Sequence, residues 1–182
     1  MILFLSLIDD EYEKIKFKDI YNTYKKMMFY IAQKILKDEH DAHDAVQESF
    51  FKIIRNIDKI NDINSLKTKG FICIIVKNTS IDIYRKLKRK NEREVLYEDE
   101  SLFETESYEY DEIEMANEIE MGILKLPEKY KSVFLLKYSQ GLSNKEIGNL
   151  LDIKESTVRI RILRGKEKLK EILEQMGVAV NE

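Results

Sequence analysis

The 182-residue sequence has few of the residues that break helices or form covalent cross-links. It contains one proline, six glycines and a single cysteine, Cys73. One cysteine excludes an internal disulfide and a cysteine-rich zinc site, and it fits a reducing, intracellular compartment. The shortage of turn-forming residues indicates a mostly helical chain with short connections. We therefore expect an all-α fold and a cytoplasmic protein.

The sequence also lacks the motifs of the common catalytic classes. It has no P-loop, no G-x-S-x-G, no H-E-x-x-H and no cysteine–histidine pair, so we expect neither enzymatic activity nor a cofactor. His40 and His43 are three residues apart and would suit a metal pair, but no third ligand is near them. Two solvated histidines near a helix start are the favoured interpretation, and we predict no metal site.

The apolar start, MILFLSLI, is eight residues long and has acidic residues after it. It is too short to span a bilayer, and it lacks the basic flank of a signal peptide. We expect either a short buried segment or a flexible start that packs on the first domain.

Charge is unevenly distributed along the chain. Residues 1–93 hold 19 basic against 14 acidic side chains, residues 94–120 hold 12 acidic and no basic ones, and residues 121–182 hold 12 basic against 8 acidic. Two basic blocks thus flank an acidic one, although the net charge is only −3. Basic blocks indicate a polyanionic partner. The dense like charge of the acidic block opposes packing and predicts a mainly disordered linker, with a helix from Ile113 onward as an alternative.

Residues 127–173 have the pattern of a helix followed by a helix-turn-helix. Pro127 stands where the first helix would start, and Gly141 permits a tight reversal at its end. Ser143 and Glu146 have the spacing of a capping box. A short turn at residues 152–155 precedes a long, arginine-rich helix, which is the arrangement that enters a major groove; a plain three-helix packing unit is the alternative. The residues predicted to face inward are Val133, Phe134, Leu136, Tyr138, Ile147, Leu150, Leu151, Val158, Ile162, Leu169, Ile172 and Leu173.

The N-terminal block shows three segments with apolar residues at helical spacing. The first covers residues 17–37, the second begins near Asp41, and the third runs from Gly70 to Lys90. The polar residues 58–70 between the last two are predicted to be a loop. The third segment ends in six cations between Arg85 and Arg93. A helix macrodipole accounts for one or two of them, so six indicate a surface that contacts phosphates.

In this order and spacing, the two blocks resemble the sigma-70 family of bacterial RNA polymerase sigma factors. DAHDAVQESFFKI resembles the helix that this family docks on the polymerase clamp, and GFICIIVKNTSIDIYRKLKRK resembles its helix for the minus-ten element. LPEKYKSVFLLKYSQGLSNKEIGNLLDIKESTVRIRILRGKEKL resembles region 4, which binds the minus-thirty-five element and the polymerase flap. The chain is too short for region 3 or an acidic region 1, which indicates the extracytoplasmic-function (ECF) group.

The resemblance implies two small helical domains, a region 2 of three to four helices and a helix-turn-helix region 4, joined by the acidic flexible linker. Region 2 would cover residues 17–91 and region 4 residues 118–176, with an N-terminal extension at 1–16, the linker at 92–117 and a tail at 177–182. Such a chain would bind core RNA polymerase, direct it to specific promoters and help to melt the minus-ten region. Its partners would be core polymerase, promoter DNA, both double-stranded and melted, and an anti-sigma factor, without stable membrane insertion.

The resemblance also implies three sets of binding residues. The set for core polymerase is Asp41, Asp44, Gln47, Glu48 and Lys52. The set for the minus-ten element is Asn61, Asn64, Ser65, Lys69, Phe71, Asn78, Asp82, Arg85, Lys86, Lys88, Arg89 and Lys90. The set for the minus-thirty-five element is Ser156, Thr157, Arg159 and Ile160 in the major groove, with Arg161 and Arg164 on the backbone. One departure is Phe71, which stands where family members often carry tryptophan.

A transcription regulator with a LuxR-type C-terminal domain is the main alternative, because such domains share much of the helix-turn-helix pattern. It would act on polymerase that carries another sigma factor. A receiver domain in the first half would show alternating strands and helices, whereas this sequence shows three helical segments of which the third is basic.

Overall fold

Helices joined by short turns make up both parts of the chain in the computed structural model, which describes residues 2–91 and 118–178. Across those ranges the backbone contains no strand, and the predicted all-α class is confirmed. The chain divides into two units, residues 1–97 and 98–182, as expected for two small helical domains. The predicted linker lies outside the described residues, as do residues 179–182 of the predicted tail. Within the described ranges, no helix combines the length and apolar character needed to cross a membrane.

The N-terminal unit is built from three long helices that all pack on one another, with a short helix before them. A turn of 3-10 helix, Ile57–Lys59, lies between the second and third of the long helices. The helices are α1 (Ile2–Leu5), α2 (Glu11–Leu36), α3 (Glu39–Ile54) and α4 (Leu66–Asn91).

Aspartate side chains fix the starts of α2 and α3. An Asp10 carboxylate oxygen accepts a hydrogen bond from the Glu13 N–H at 2.9 Å, and Asp38 accepts one from the Asp41 N–H at 2.9 Å. Each satisfies a backbone donor that has no partner within its helix. The caps explain why α2 begins at Glu11, well before the apolar repeat at residue 17, and why α3 begins slightly before Asp41.

Aromatic rings join α1 to the core of this unit. The Phe4 ring lies 5.6 Å from Phe17, 5.7 Å from Phe50 and 5.0 Å from Phe51, measured between centroids. Phe4 and Ile8 are both buried. The apolar start of the chain therefore matches the first of the two expectations, a short buried segment.

The predicted loop at residues 58–70 is shorter in the structure. Helix α4 begins at Leu66, so residues 66–70 are helical and the prediction is wrong for them. Ser65 directly precedes the helix, and its hydroxyl accepts a hydrogen bond from the Thr68 N–H at 3.2 Å. Gly70 then lies inside the helix, where glycine costs about 1 kcal/mol relative to alanine, a penalty that tertiary packing overrides.

The C-terminal unit is arranged around one long helix. Helix α8 (Glu155–Gln175) packs against α5 (Glu118–Leu124), α6 (Glu128–Phe134) and α7 (Asn144–Leu151). Most of the predicted inward residues are buried, and Ile162 and Leu169 are half-buried. The buried members are Val133, Phe134, Leu136, Ile147, Leu150, Leu151, Val158, Ile172 and Leu173.

Two expectations for α6 are wrong in detail. Pro127 occupies the N-cap position, because α6 begins one residue later at Glu128. Tyr138 is 55% exposed instead of buried. The cause is a π-helical stretch, Leu135–Ser139, that follows α6 and in which the Gln140 N–H donates to the Leu135 carbonyl at 3.1 Å. A wider turn rotates the residues after it out of the 3.6-residue period on which the prediction depended.

The turn between α7 and α8 is set by local hydrogen bonds and by one close contact. The predicted capping box is confirmed: the Ser143 N–H donates to Glu146 Oε2 at 2.7 Å, and the Glu146 N–H donates to Ser143 Oγ at 3.2 Å. Asp152 ends α7 in the left-handed conformation, with φ 54°. A Cβ on Gly148 would lie 2.8 Å from the Ile153 carbonyl oxygen, so only glycine lets this turn fold against α7.

We predict that Gly148→Ala destabilises the C-terminal unit, because the new methyl group meets a backbone oxygen that cannot move alone. Overpacking of this kind costs about 1–3 kcal/mol, against a gain of about 1 kcal/mol in helix propensity. Gly122→Ala is the matched control, because its Cβ would meet the flexible tips of Leu169 and Leu173. Urea unfolding of both full-length variants checks this. Equal free energies of unfolding for the two would contradict the prediction.

Candidate nucleic-acid and polymerase interfaces

The predicted polymerase-binding residues lie along one side of α3. Asp44, Gln47 and Glu48 are exposed, and Asp41 is half-buried near the helix start. Their spacing of three and four residues places them on a continuous stripe. The structure therefore brings together four of the five predicted residues as a polar, mostly acidic surface.

Lys52, the fifth, has a different environment. Its side chain is 14% exposed, and its Nζ donates to Thr79 Oγ1 on α4 at 3.1 Å. The same atom lies 3.6 Å from Glu48 Oε1. Lys52 thus holds α3 against α4 and fixes the position of Glu48, so part of its role is structural.

The two histidines lie on the exposed start of α3. His40 Nδ1 is 3.4 Å from Asp44 Oδ2, and His43 Nε2 is 3.9 Å from Glu39 Oε1. A hydrogen bond to the backbone, followed by the Asp44 carboxylate, raises the pKa of His40 above its usual value. Over residues 2–91 and 118–178, no three metal-binding side chains are grouped to hold an ion.

A groove of about 520 Å³ lies beside the α3 stripe, between α2 and α3. Gln47 and His43 line one wall, Lys25 and Lys26 line the other, and aromatic rings including Phe4 form the rest together with Val46. Sequence reasoning missed the two lysines as part of this surface, because they come from a different helix and share no local motif with α3.

The loop before α4 is fastened to α2 at one point. The Tyr24 hydroxyl donates to the Ile63 carbonyl at 2.5 Å. Burial, followed by the nearby Cys73 and Asp62, raises the pKa of the Tyr24 phenol, so it keeps the proton that it donates. Asn61 and Asn64 remain exposed on this loop.

Of the two predicted loop residues Ser65 and Lys69, Ser65 lies in the loop and Lys69 lies in α4. The Ser65 hydroxyl donates to the Asp62 carbonyl at 2.8 Å and caps α4. Lys69 is half-buried within the first turns of that helix. The polar loop between the 3-10 turn and α4 is therefore residues 60–65.

Phe71 lies in the core of the N-terminal unit. It is 2% exposed, one turn inside a helix that begins earlier than predicted. The side chain offers no accessible surface to a base, so we correct the expectation that it contacts minus-ten DNA.

The remaining minus-ten residues follow α4 toward its C-terminus. Asn78, Asp82, Arg85 and Arg89 are spaced four, three and four apart and share one face of the helix. Asn78 Nδ2 donates to the Ile74 carbonyl at 2.8 Å, which orients the amide along the helix. Lys86 and Lys88 are exposed beside them. The side chain of Lys90 lies outside the described residues.

The predicted minus-thirty-five residues occupy the first three turns of α8, directly after the turn at Asp152. Ser156, Arg159, Ile160 and Arg164 are exposed, whereas Thr157 and Arg161 are half-buried. Arg159 Nη2 donates to Glu155 Oε1 at 2.6 Å, one turn earlier on the same helix. This pair orients the guanidinium near the helix start, where the backbone N–H groups also favour an anion.

Leu163 belongs to this surface and was missed by sequence reasoning. Its side chain is 60% exposed, one turn after Ile160, which is 50% exposed. The signal that would have found it is its spacing: Leu163 is five residues from the buried Val158, and so falls outside the core repeat.

Both units of the chain are similar to known proteins. Residues 20–90 match the family model described as Sigma-70 region 2, and residues 116–169 match Sigma-70, region 4. The chain is 35% identical over 175 residues to the ECF RNA polymerase sigma factor SigW of Bacillus subtilis (strain 168), covering 88% of this chain and 90% of that protein. It is 35% identical over 147 residues to the RNA polymerase sigma factor SigZ of the same strain, covering 80% and 79%. A solved structure of the sigma factor RpoE in complex with the anti-sigma factor NepR from Bartonella quintana covers 87% of this chain and 96% of that chain, at 18% identity and a TM-score of 0.38.

We predict that Lys52→Met lowers the free energy of unfolding by about 1–2 kcal/mol, because it removes a hydrogen bond and an ion pair while keeping most of the side-chain stem. Gln47→Ala, on the same helix but exposed, should change it by less than about 0.5 kcal/mol. Urea denaturation of the two variants beside the wild type measures this difference. The same small effect from both substitutions would contradict a structural role for Lys52.

Proposed function

This chain belongs to the sigma-70 family of RNA polymerase sigma factors, in its extracytoplasmic-function group. From that membership we propose which residues bind core polymerase, which melt the minus-ten region and which recognise the minus-thirty-five element. The chain is a sigma factor that directs RNA polymerase to promoters. The observation that carries this function is the presence of region 2 and region 4 together, in that order, at residues 20–90 and 116–169.

We assign the contact with core polymerase to the exposed stripe on α3. Asp44, Gln47 and Glu48 offer carboxylate and amide groups to a polar partner, and Asp41 extends the stripe toward the helix start. The ordered position of Glu48 beside Lys52 supports this assignment, because a side chain that is already held loses less entropy on binding.

Melting of the minus-ten region is assigned to the loop at residues 60–65 and to α4. Taking a base out of the stack costs a few kcal/mol, and contacts to the freed base offset about 1–3 kcal/mol of it. Asn61 and Asn64 are exposed amides beside the start of α4, and Asn78 and Asp82 present hydrogen-bonding groups farther along it. Cations that follow them would hold the phosphates: Arg85, Lys86, Lys88 and Arg89.

Recognition of the minus-thirty-five element is assigned to α8. Its first turns follow a short turn and carry Ser156, Arg159 and Ile160 on the exposed side. Arginine suits the bidentate acceptor pair of guanine in the major groove, and the contact with Glu155 directs the Arg159 guanidinium toward the helix start. Arg164 and the half-buried Arg161 lie farther along the helix, where the backbone phosphates pass.

The partners follow from this activity. The chain works with core RNA polymerase and promoter DNA, and we propose that it acts in the cytoplasm as a non-catalytic factor. Regulation by an anti-sigma factor is proposed from the family. The LuxR-type alternative is not favoured, because residues 20–90 match region 2 and the described part of the N-terminal unit contains no strand.

We expect that core polymerase, given this protein and a library of promoter sequences, initiates at specific start sites that are absent without it. Run-off transcription followed by sequencing of the 5′ ends measures them. If the protein only represses or activates starts made by another sigma factor, the proposed function is wrong and the regulator alternative gains.

The division between base-reading and phosphate-holding residues is tested by Arg159→Ala and Lys88→Ala. Arg159→Ala should cost about 1–3 kcal/mol on the preferred minus-thirty-five element and much less on altered ones, so specificity falls. Lys88→Ala should weaken promoter binding uniformly and reduce the salt slope by about one. Holoenzyme binding to promoter variants at several salt concentrations distinguishes the two. Identical behaviour of both variants would refute the division.

A further inference from the structure

We propose that Ile160 and Leu163 read thymine methyl groups in the major groove of the minus-thirty-five element. This proposal rests on the proposed function, in which α8 enters that groove, and it names what two of its side chains recognise there. Leu163 thereby becomes a residue that determines promoter specificity.

The geometry of α8 places the two side chains at the centre of its outward face. Successive helical residues turn by about 100°, so Ser156, Ile160 and Leu163 lie within about 60° of one another. The fully buried Val158 lies on the opposite side of the helix. In the described part of the chain, Ile160 and Leu163 are the large apolar side chains that α8 leaves exposed.

The charges around this pair indicate what covers it. By the same helical rotation, Lys166 lies on one flank and Arg164 on the other, with Arg159, the residue assigned to reading a base, between Lys166 and the apolar centre; all three are exposed. An apolar centre between two cationic flanks is complementary to a major groove, where phosphates form both edges and the thymine methyl is the apolar group on the floor. Glu167 follows Leu163 on the same face. Because phosphates repel a carboxylate, the DNA contact along this face of α8 should end before Glu167.

The chemistry of the contact is selective for one base. Of the four base pairs, only those containing thymine present a methyl group in the major groove, so an aliphatic side chain distinguishes them without a hydrogen bond. Removing one methyl group from an apolar contact weakens binding about three- to fivefold, which follows from the free energy of burying one CH₂. We therefore expect at least one strongly preferred A·T or T·A pair opposite this part of α8.

The test begins with the complete holoenzyme, core polymerase plus the full-length chain. Preferred minus-thirty-five elements are selected from a randomised library, and each thymine in them is then replaced by deoxyuridine. This change removes only the methyl group and leaves every hydrogen-bonding group in place. Affinity for the thymine and deoxyuridine promoters is measured for the wild type, Ile160→Ala and Leu163→Ala.

The wild type should lose about three- to fivefold in affinity at one or more deoxyuridine positions. Leu163→Ala or Ile160→Ala should abolish that difference at the position which the residue contacts. Glu174→Ala is the matched control, because it is exposed on the same face but about 16 Å farther along the helix; it should keep the full methyl dependence.

Each other outcome has a defined meaning. Selected elements without a preferred A·T or T·A pair, or no loss on deoxyuridine substitution, would overturn the thymine contact while leaving the sigma function intact. The same holds if both alanine variants keep the methyl dependence, and the apolar pair would then be assigned to a protein partner. Failure of the holoenzyme to select any promoter would instead contradict the proposed function itself.

Discussion

The close approach of helices through glycine is the constraint on which the C-terminal unit depends. A Cβ would lie 2.8 Å from Leu169 Cδ1 if added to Gly122, 2.8 Å from the Ile153 oxygen if added to Gly148, and 2.5 Å from Phe134 Cε2 if added to Gly165. Gly122 and Gly165 lie where α5 and α6 pack on α8, and Gly148 lies where the turn after α7 folds back on α7. An added carbon would meet a backbone oxygen at Gly148 and the packed Phe134 ring at Gly165, so the backbone or the ring would have to shift there, whereas the Leu169 tip beside Gly122 can move aside. Gly148 and Gly165, both of them buried, thus help to set where α8 lies in this unit.

In the N-terminal unit, the helices are held in place by an aromatic core and by hydrogen bonds between distant residues. Rings from α1, α2 and α3 fill the centre, while Lys52 Nζ donates to Thr79 Oγ1 and the Tyr24 hydroxyl donates to the Ile63 carbonyl. Both hydrogen bonds lie next to a surface assigned to binding. The Lys52 bond is beside the α3 stripe, and the Tyr24 bond is in the loop at residues 60–65. In the sequence, a polar side chain that holds a binding surface in place therefore looks the same as one that contacts the partner directly.

This resemblance limits how much of the site could be predicted. Several features that depend on neighbouring residues were predicted correctly: the all-α class, the capping box at Ser143 and the buried spacing of Ile147, Leu150 and Leu151. Features set by distant residues were not. The burial of Phe71 and the tie of Lys52 to α4 arise from packing between helices. The exposure of Tyr138 depends on a π turn that has no sequence signal. The three sets of binding residues remain proposals, since the fold places most of them on the surface without selecting among them.

The net charge of the whole chain gives a physical reason for separating residues that read bases from residues that hold phosphates. A protein with two strongly basic faces and no compensation would bind DNA non-specifically, because phosphate contacts alone supply that affinity. Here 12 acidic side chains between the basic blocks bring the net charge to −3, which lowers the long-range attraction of the free chain to DNA. Specific binding must then come from contacts to base edges, such as those assigned to Arg159, to the exposed amides and to apolar groups, and from the two DNA-binding units acting together on one polymerase. The proposed contact of Leu163 with a thymine methyl group suits such a protein, because it discriminates between base pairs without adding affinity for every other DNA sequence.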